Sequence, residues 1–292
     1  MRPSTVDALV AGGLDPTDVT RVVRVALGED LGPDGIDVTT VATIPGDQTG
    51  TGDLVARADG VPAGLAVAAA VFELVDARTA VTPLVADGEW VIAGTVLATV
   101  TGPARALLTA ERTALNLLCH LSGVATHTRA WAEALAGTKA RVLDTRKTTP
   151  GLRALEKYAV RVGGGTNKRM GLYDVAMVKD NHALAAGGVA PAFARVRATY
   201  PDLPVQVEVG TVAEAAAAVE AGADFLLCDN LPPAQLREIV AAVGDRAELE
   251  ATGGLTLARA REFAETGVDY LSVGALTHSS PSLDIAMDLR DR

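Results

Sequence analysis

This sequence predicts an α/β architecture in which a small α+β domain leads into a parallel α/β barrel. Three observations predict it. Six short apolar runs recur in the second half of the chain, the intervals between them are mostly Ala-rich with a helical period, and each run ends in a charge, an amide or a glycine turn. Strands separated by helices at βαβ spacing require right-handed crossovers and a parallel sheet. Six such units with no dinucleotide-type glycine fingerprint favour a barrel over an open nucleotide-binding sheet. A chain of 292 residues is long enough for one large domain or two modest ones, each with a sizeable core.

Composition narrows the function classes. Hydrophobic residues make up 49% and aromatic residues only 3%, so Ala, Val and Leu fill the interior of a globular protein. The formal net charge of −10 argues against nucleic acid or an anionic membrane as the main partner. The longest apolar stretch, 63–72, ends at Glu73 and is too short to span a bilayer. Residues 1–20 show no apolar segment behind a basic start, so the expected compartment is the cytoplasm. Cys119 and Cys228 are too few for a disulfide framework or a cysteine zinc site, and read as small core residues.

The distribution of charge is more informative than its total. All five lysines lie between Lys139 and Lys179, where ten cations face three carboxylates, a local balance of +7. Such a run is usually a solvated helix face. Here the cations are spread among Gly and Thr, which favours a focused pocket for a small, multiply anionic ligand.

Taken in order, residues 18–27 have a helical apolar period, 29–40 reads as a loop, 53–58 and 90–100 as strands, and 65–75 as a helix. The rhythm around Asp87-Gly88-Glu89 resembles a lipoyl-type module, but no lysine precedes Lys139 to accept a cofactor. Pro103 opens a long helix to about Ser122. On it Arg105, Thr109, Arg112 and Asn116 share one stripe, open either to solvent or to an anion. The six runs are 141–144, 175–179, 205–209, 225–229, 247–251 and 270–274.

A barrel places its chemistry at the carboxyl ends of its strands. Those ends read Asp144-Thr145-Arg146-Lys147, Lys179-Asp180-Asn181, Glu208, Asp229-Asn230, Thr252-Gly253-Gly254 and Gly274-Ala275. Arginines at 112, 146 and 169 suit bidentate capture of carboxylate or phosphate, and Lys147, Lys168 and Lys179 supply compact charges. Glu208 and Asp229 suit ribose hydroxyls or a magnesium shell. The glycine turns suit a phosphate on backbone N–H groups. Together these types fit a sugar phosphate plus an anionic co-substrate.

The same residues resemble the quinolinate phosphoribosyltransferase family along nearly the whole chain. The likeness runs through Glu29-Asp30-Leu31-Gly32, Asp37-Val38-Thr39-Thr40, Glu111-Arg112-Thr113-Ala114-Leu115-Asn116 and Leu121-Ser122-Gly123-Val124-Ala125-Thr126. It continues in the stretch 144–151, in Gly163-Gly164-Gly165-Thr166-Asn167 and in Lys179-Asp180-Asn181-His182. It closes with Gln206-Val207-Glu208-Val209, Cys228-Asp229-Asn230 and Ser272-Val273-Gly274-Ala275-Leu276. Two departures stand out: Lys168 where the family usually has histidine, and Thr252 where serine is more usual.

The resemblance implies an N-terminal α/β sandwich domain over 1–112 and an incomplete, six-stranded α/β barrel over 113–280, with a C-terminal helix at 281–292 packing back on the first domain. It implies a homodimer with shared sites, Arg112 reaching the neighbour's site. The substrates would be quinolinate and phosphoribosyl pyrophosphate, with Mg2+ as cofactor and nicotinate mononucleotide as product. Substrate binding falls to Arg112, Thr145, Arg146, Lys147, Lys168, Arg169, Lys179, Glu208 and Asp229, with Lys147, Lys179, Glu208 and Asp229 catalytic. Glu208 and Asp229 would hold the metal, directly or through water. Thr252, Gly253, Gly254, Val273, Gly274 and Ala275 would hold the 5-phosphate.

Three other readings are weighed against this one. Lys179 at a strand end suits a Schiff-base aldolase if desolvation lowers its pKa. A related enzyme acting on another anionic acid is compatible with Lys168. A non-catalytic phosphoribosyl-binding module would not need both Glu208 and Asp229. The histidines, His120, His127, His182 and His278, are expected to serve packing or surface roles.

Overall fold

The computed structural model describes residues 1–290 and divides the chain into two compact units. The first comprises Met1–Arg129, Thr149–Gly164 and Ser279 onward; the second comprises Ala130–Thr148 and Gly165–His278. The first unit therefore runs past the boundary expected at 112/113, because the helix that crosses that point is unbroken.

The first unit contains α1 (Pro3–Ala11), α2 (Pro16–Leu31), α3 (Val38–Thr43), β1 (Thr49–Ala56), α4 (Leu65–Val75), β2 (Ala80–Pro83), β3 (Val96–Pro103), most of α5 (Ala104–Ala134) and α6 (Arg153–Val162). With β10 (Ile285–Leu289) the strands form an antiparallel sheet in the order β10-β1-β3-β2. The loop expected at 29–40 is shorter, since α2 continues to Leu31 and Asp37 caps α3 by accepting from the Thr40 N–H at 2.9 Å. The expected strands shift to β1 and β3, and β2 went unpredicted, its four residues carrying little apolar signal. Helix α4 spans its expected range, with Val67, Ala68, Ala70, Val71 and Phe72 fully buried.

Helix α5 starts after Pro103, which ends β3, and continues twelve residues beyond Ser122, because Val124, Ala125 and Trp131 prolong its buried face. The stripe on α5 splits. Arg105 donates to the Ile44 and Val41 carbonyls at 2.7 and 3.1 Å, and Thr109 lies 3.2 Å from Asp37. Arg112 and Asn116 are exposed.

The helix expected at 281–292 is instead strand β10, paired antiparallel with β1; residues 291–292 of that expectation lie outside the described residues. Ile285 and Met287 are buried and alternate with less buried neighbours, a period of two that suits a strand packed on one face. The segment before it lies against α5 at Gly123, where a Cβ would come within 2.1 Å of the Pro281 carbonyl oxygen.

The second unit carries β4 (Arg141–Leu143), β5 (Ala176–Val178), α7 (Asp180–Ala186), α8 (Val189–Thr199), β6 (Val205–Val209), α9 (Val212–Glu220), β7 (Phe225–Asp229), α10 (Pro233–Val243), β8 (Glu248–Thr252), α11 (Ala260–Ala264), β9 (Tyr270–Ser272) and α12 (Ala275–His278). All six strands are parallel, in the order β4-β9-β8-β7-β6-β5. The edge strands β4 and β5 share no ladder among the described residues, so the barrel is incomplete as expected. The crossover between them carries helix α6, which belongs to the first unit. There Glu156 bonds His120 at 2.8 Å and the Thr149 N–H at 3.0 Å, while the Tyr158 hydroxyl donates to Asp87. No helix among the described residues is long and apolar enough to cross a membrane.

Replacing Gly123 by alanine should push 281–282 off α5 and loosen β10, at a cost on the order of 1–3 kcal/mol. Hydrogen exchange at 285–289 and the thermal midpoint measure this. Unchanged protection there would refute the packing account.

Candidate functional site

The edge left open at β4 is occupied by a segment of loop. Thr166 bridges Leu143 in parallel, donating its N–H to the Val142 carbonyl at 2.8 Å and accepting from Asp144 N–H at 3.1 Å. The fully buried Asp144 carboxylate accepts from the Lys168 N–H at 2.7 Å and from Asn167 Nδ2 at 2.7 Å. Arg169 then reaches the opposite edge, donating to the Val175 carbonyl at 3.0 Å and lying 3.6 Å from Met177 Sδ on β5. Residues 166–169 thus span the gap between β4 and β5.

A cavity of about 350 Å3 opens beside this segment, lined by Thr145, Arg146, Lys147, Lys168, Arg169, Met177, Lys179, Leu227, Asp229 and Thr252. Five cations face one carboxylate there, inside an acidic chain. Met177 and Leu227 add apolar surface suited to a flat ring. Arg169 is held below its ordinary pKa, first by burial and then by Arg146. A small planar dianion suits the sign of this charge, the volume and the lining together.

The individual cations are held by their strands and turns. Thr145 Oγ1 accepts from the Lys147 N–H at 3.0 Å, and the Lys147 carbonyl accepts from Thr277 at 2.8 Å. A Cβ at Gly274 would meet Lys147 Cδ at 3.0 Å, so a small residue there leaves the lysine its path. Lys179 caps α7, its N–H donating to His182 Nδ1 at 3.0 Å, and its ammonium lies 3.5 Å from Glu208. At Gly253, φ is +92° and a Cβ would meet Asn230 Oδ1 at 2.1 Å, so that turn requires glycine. Asn230 in turn donates its N–H to the Thr252 carbonyl at 2.9 Å and its Nδ2 to Asp229 at 2.9 Å.

A second cavity, about 820 Å3, adjoins through Asp229 and is lined by α7, α8, Glu208 and Glu214. Its charged lining residues are all carboxylates, the wrong sign to hold an anion unaided. No group of three or more His, Cys, Asp or Glu residues poised to hold a metal occurs among the described residues. Glu208 and Asp229, on the paired strands β6 and β7, offer two carboxylates. That donor set fits a magnesium ion that keeps its waters and completes its shell with substrate phosphate.

The sequence matches the family described as quinolinate phosphoribosyl transferase, N-terminal domain, over residues 37–122, and its C-terminal domain over 124–288. The chain belongs to this family. Nicotinate-nucleotide pyrophosphorylase (carboxylating) of Mycobacterium leprae is 50% identical over 272 residues, covering 91% of this chain and 95% of that one. The enzyme described as probable nicotinate-nucleotide pyrophosphorylase (carboxylating) of Bacillus subtilis is 43% identical, over 89% and 90% of the two chains. Among solved structures, NadC from Streptococcus pyogenes superposes with a TM-score of 0.91 at 40% identity, over 95% of this chain and 98% of the other.

Of the site residues expected in this family member, Thr145, Arg146, Lys147, Lys168, Arg169, Lys179, Asp229 and Thr252 come together around one cavity. Glu208 lines the adjoining one. Gly253, Gly254, Val273, Gly274 and Ala275 line neither cavity and form the turns after β8 and β9. Arg112 lies in the other unit. Sequence reasoning missed Met177, Leu227 and Glu250, and named Asn230 only as part of a strand end. The missed three sit two residues before Lys179, Asp229 and Thr252, so strand alternation was the signal that would have found them.

Lys168 departs from the expectation of a simple carboxylate ligand. Its ammonium lies 2.5 Å from Glu250 Oε1, and the two side chains are 8% and 0% exposed. Burial pulls Lys168 down from its ordinary pKa, the Glu250 carboxylate opposing, and burial pushes Glu250 up. Cys228 fits the expected core role while Cys119 is only half-buried, and burial raises both thiols, Cys228 to about 12. His120 bonds Glu156 and His127 bonds Ser280, each at 2.8 Å.

Replacing Asp144 by alanine should release residues 166–168, each lost charged hydrogen bond costing about 1–3 kcal/mol. Faster amide exchange across 166–168, with little change at β6 and β7, is the expected pattern. Equal protection in wild type and variant would contradict it.

Proposed function

We propose that this protein transfers the phosphoribosyl group of phosphoribosyl pyrophosphate to quinolinate with loss of carbon dioxide, giving nicotinate mononucleotide for NAD biosynthesis. The observation that carries the reading is the five-cation cavity with apolar Met177 and Leu227, at the strand ends of an incomplete barrel. The enzyme is a glycosyltransferase of the pentosyltransferase kind. Arg146, Lys168, Arg169 and Lys179 would hold the two acid carboxylates, with the ring against Met177 and Leu227. Lys147 and Lys179 would draw the departing pyrophosphate's charge, and Thr252, Gly253, Gly254, Val273, Gly274 and Ala275 would hold the 5-phosphate.

The pyridine nitrogen forms its bond to the ribose carbon as the bond to pyrophosphate breaks. The adjacent carboxylate then leaves as carbon dioxide, its electron pair passing to the ring carbon, which takes up a proton. The chain contributes position and fixed charge, with no covalent enzyme intermediate. Glu208 and Asp229 would hold Mg2+, in part through water, and the ion supplies charge neutralisation to the pyrophosphate. The expected compartment is the cytoplasm. A related acid in place of quinolinate is the second reading, favoured by Lys168 in the cavity wall, where the family usually has histidine.

Purified protein with phosphoribosyl pyrophosphate, magnesium and quinolinate should yield nicotinate mononucleotide by mass detection. Chelating magnesium should abolish the product, and nicotinate should not substitute, because one carboxylate leaves part of the cationic cluster unmatched. Equal turnover of nicotinate would defeat the reading, and turnover of another pyridine acid would select the second one.

A homodimer with shared sites is part of the proposal, the exposed Arg112 serving the site of a second copy. Arg112→Ala and Lys147→Ala proteins, each inactive alone, should regain activity on mixing, since one site in each mixed dimer is intact. Mixed dimers without activity would exclude sharing.

A further inference from the structure

Glu250 has no role in the reaction just described, and an uncompensated carboxylate behind an anion site would repel the substrate. Yet it is fully buried on β8, two residues before Thr252, and engages Lys168 from a loop 82 residues away in sequence. The lysine it engages lines the acid cavity.

We propose that Glu250 is a positioning residue, whose carboxylate anchors the Lys168 ammonium in the wall of the acid cavity and keeps it charged there for the substrate carboxylate. The inference rests on the quinolinate reading above. Its physical basis is the cost of burying a lone ammonium, which drives a buried lysine toward its neutral form unless an anion compensates. The surroundings of Lys168 sharpen that need. Arg169 and Lys179 bear on it with like charge, and Arg146 and Lys147 line the same cavity. Asp144 accepts from its backbone N–H at 2.7 Å. On the Glu250 side the other ionisable neighbours are Asp229 and the Cys228 thiol. The Glu250 carboxylate is in direct contact with the ammonium, at 2.5 Å.

Glu250→Gln keeps the shape and removes the charge. With it absent, burial and the like charges of Arg169 and Lys179 should favour the neutral lysine as pH rises. The Michaelis constant for quinolinate should then climb about tenfold between about pH 6 and pH 8, a change of about 1.4 kcal/mol. The wild-type value should stay flat over the same range. The constant for phosphoribosyl pyrophosphate should move less than about twofold, and Glu250→Asp should restore the flat profile. Calorimetric binding of quinolinate should follow the same pH trend without turnover.

In a Lys168→Met background, adding Glu250→Gln should not raise the quinolinate constant, because the glutamate aids binding only through the lysine. That comparison still decides if Glu250→Gln alone does not fold, since the doubly neutral pair buries no charge. A pH-independent constant in Glu250→Gln, or a further rise in the Lys168→Met background, would overturn the proposal. A wild-type enzyme that does not turn over quinolinate would instead overturn the functional reading.

Discussion

Between β4 and β5 the barrel lacks a strand-to-strand ladder, and the fixed loop 166–169 stands in that gap. The buried Asp144 carboxylate makes this possible by taking the Lys168 N–H and the Asn167 side chain. A regular crossover would have supplied backbone groups and apolar side chains to the interior. A loop pinned from below can instead present Lys168 and Arg169 to it. The crossover helix α6 is held in the first unit by its buried Glu156 and by Tyr158 on Asp87.

That arrangement concentrates positive charge in a chain whose total is −10. Cations gathered in 350 Å3 repel one another, and part of Arg169's lowered pKa comes from Arg146. The fold offsets the repulsion with a small number of carboxylates: Glu250 against Lys168 and Glu208 near Lys179. A dianionic substrate completes the balance, so binding and charge relief coincide. Donors fixed before the substrate arrives need little reorganisation when pyrophosphate departs, which is how electrostatics accelerates a transfer of this kind.

Much of this was legible in the sequence. The six strands fell near their apolar runs because parallel strands buried on both faces read as continuous hydrophobic stretches. The polar residues closing those runs marked the site, since barrel chemistry sits at strand carboxyl ends. The Lys168–Glu250 pair was hidden because its members are 82 residues apart and a lone glutamate in a short strand has no local signature. Met177 and Leu227 read as core, and only their period-two relation to Lys179 and Asp229 separates them from it. The tail was misread because its few apolar residues do not distinguish helix from strand until β1 offers an edge to pair with.

The most direct measurement is a crystal structure of the protein with quinolinate bound. The account predicts the ring against Met177 and Leu227, its two carboxylates among Arg146, Lys168, Arg169 and Lys179, and Lys168 still paired with Glu250. Quinolinate seated in the larger cavity beside α7, or among the turns after β8 and β9, would contradict it.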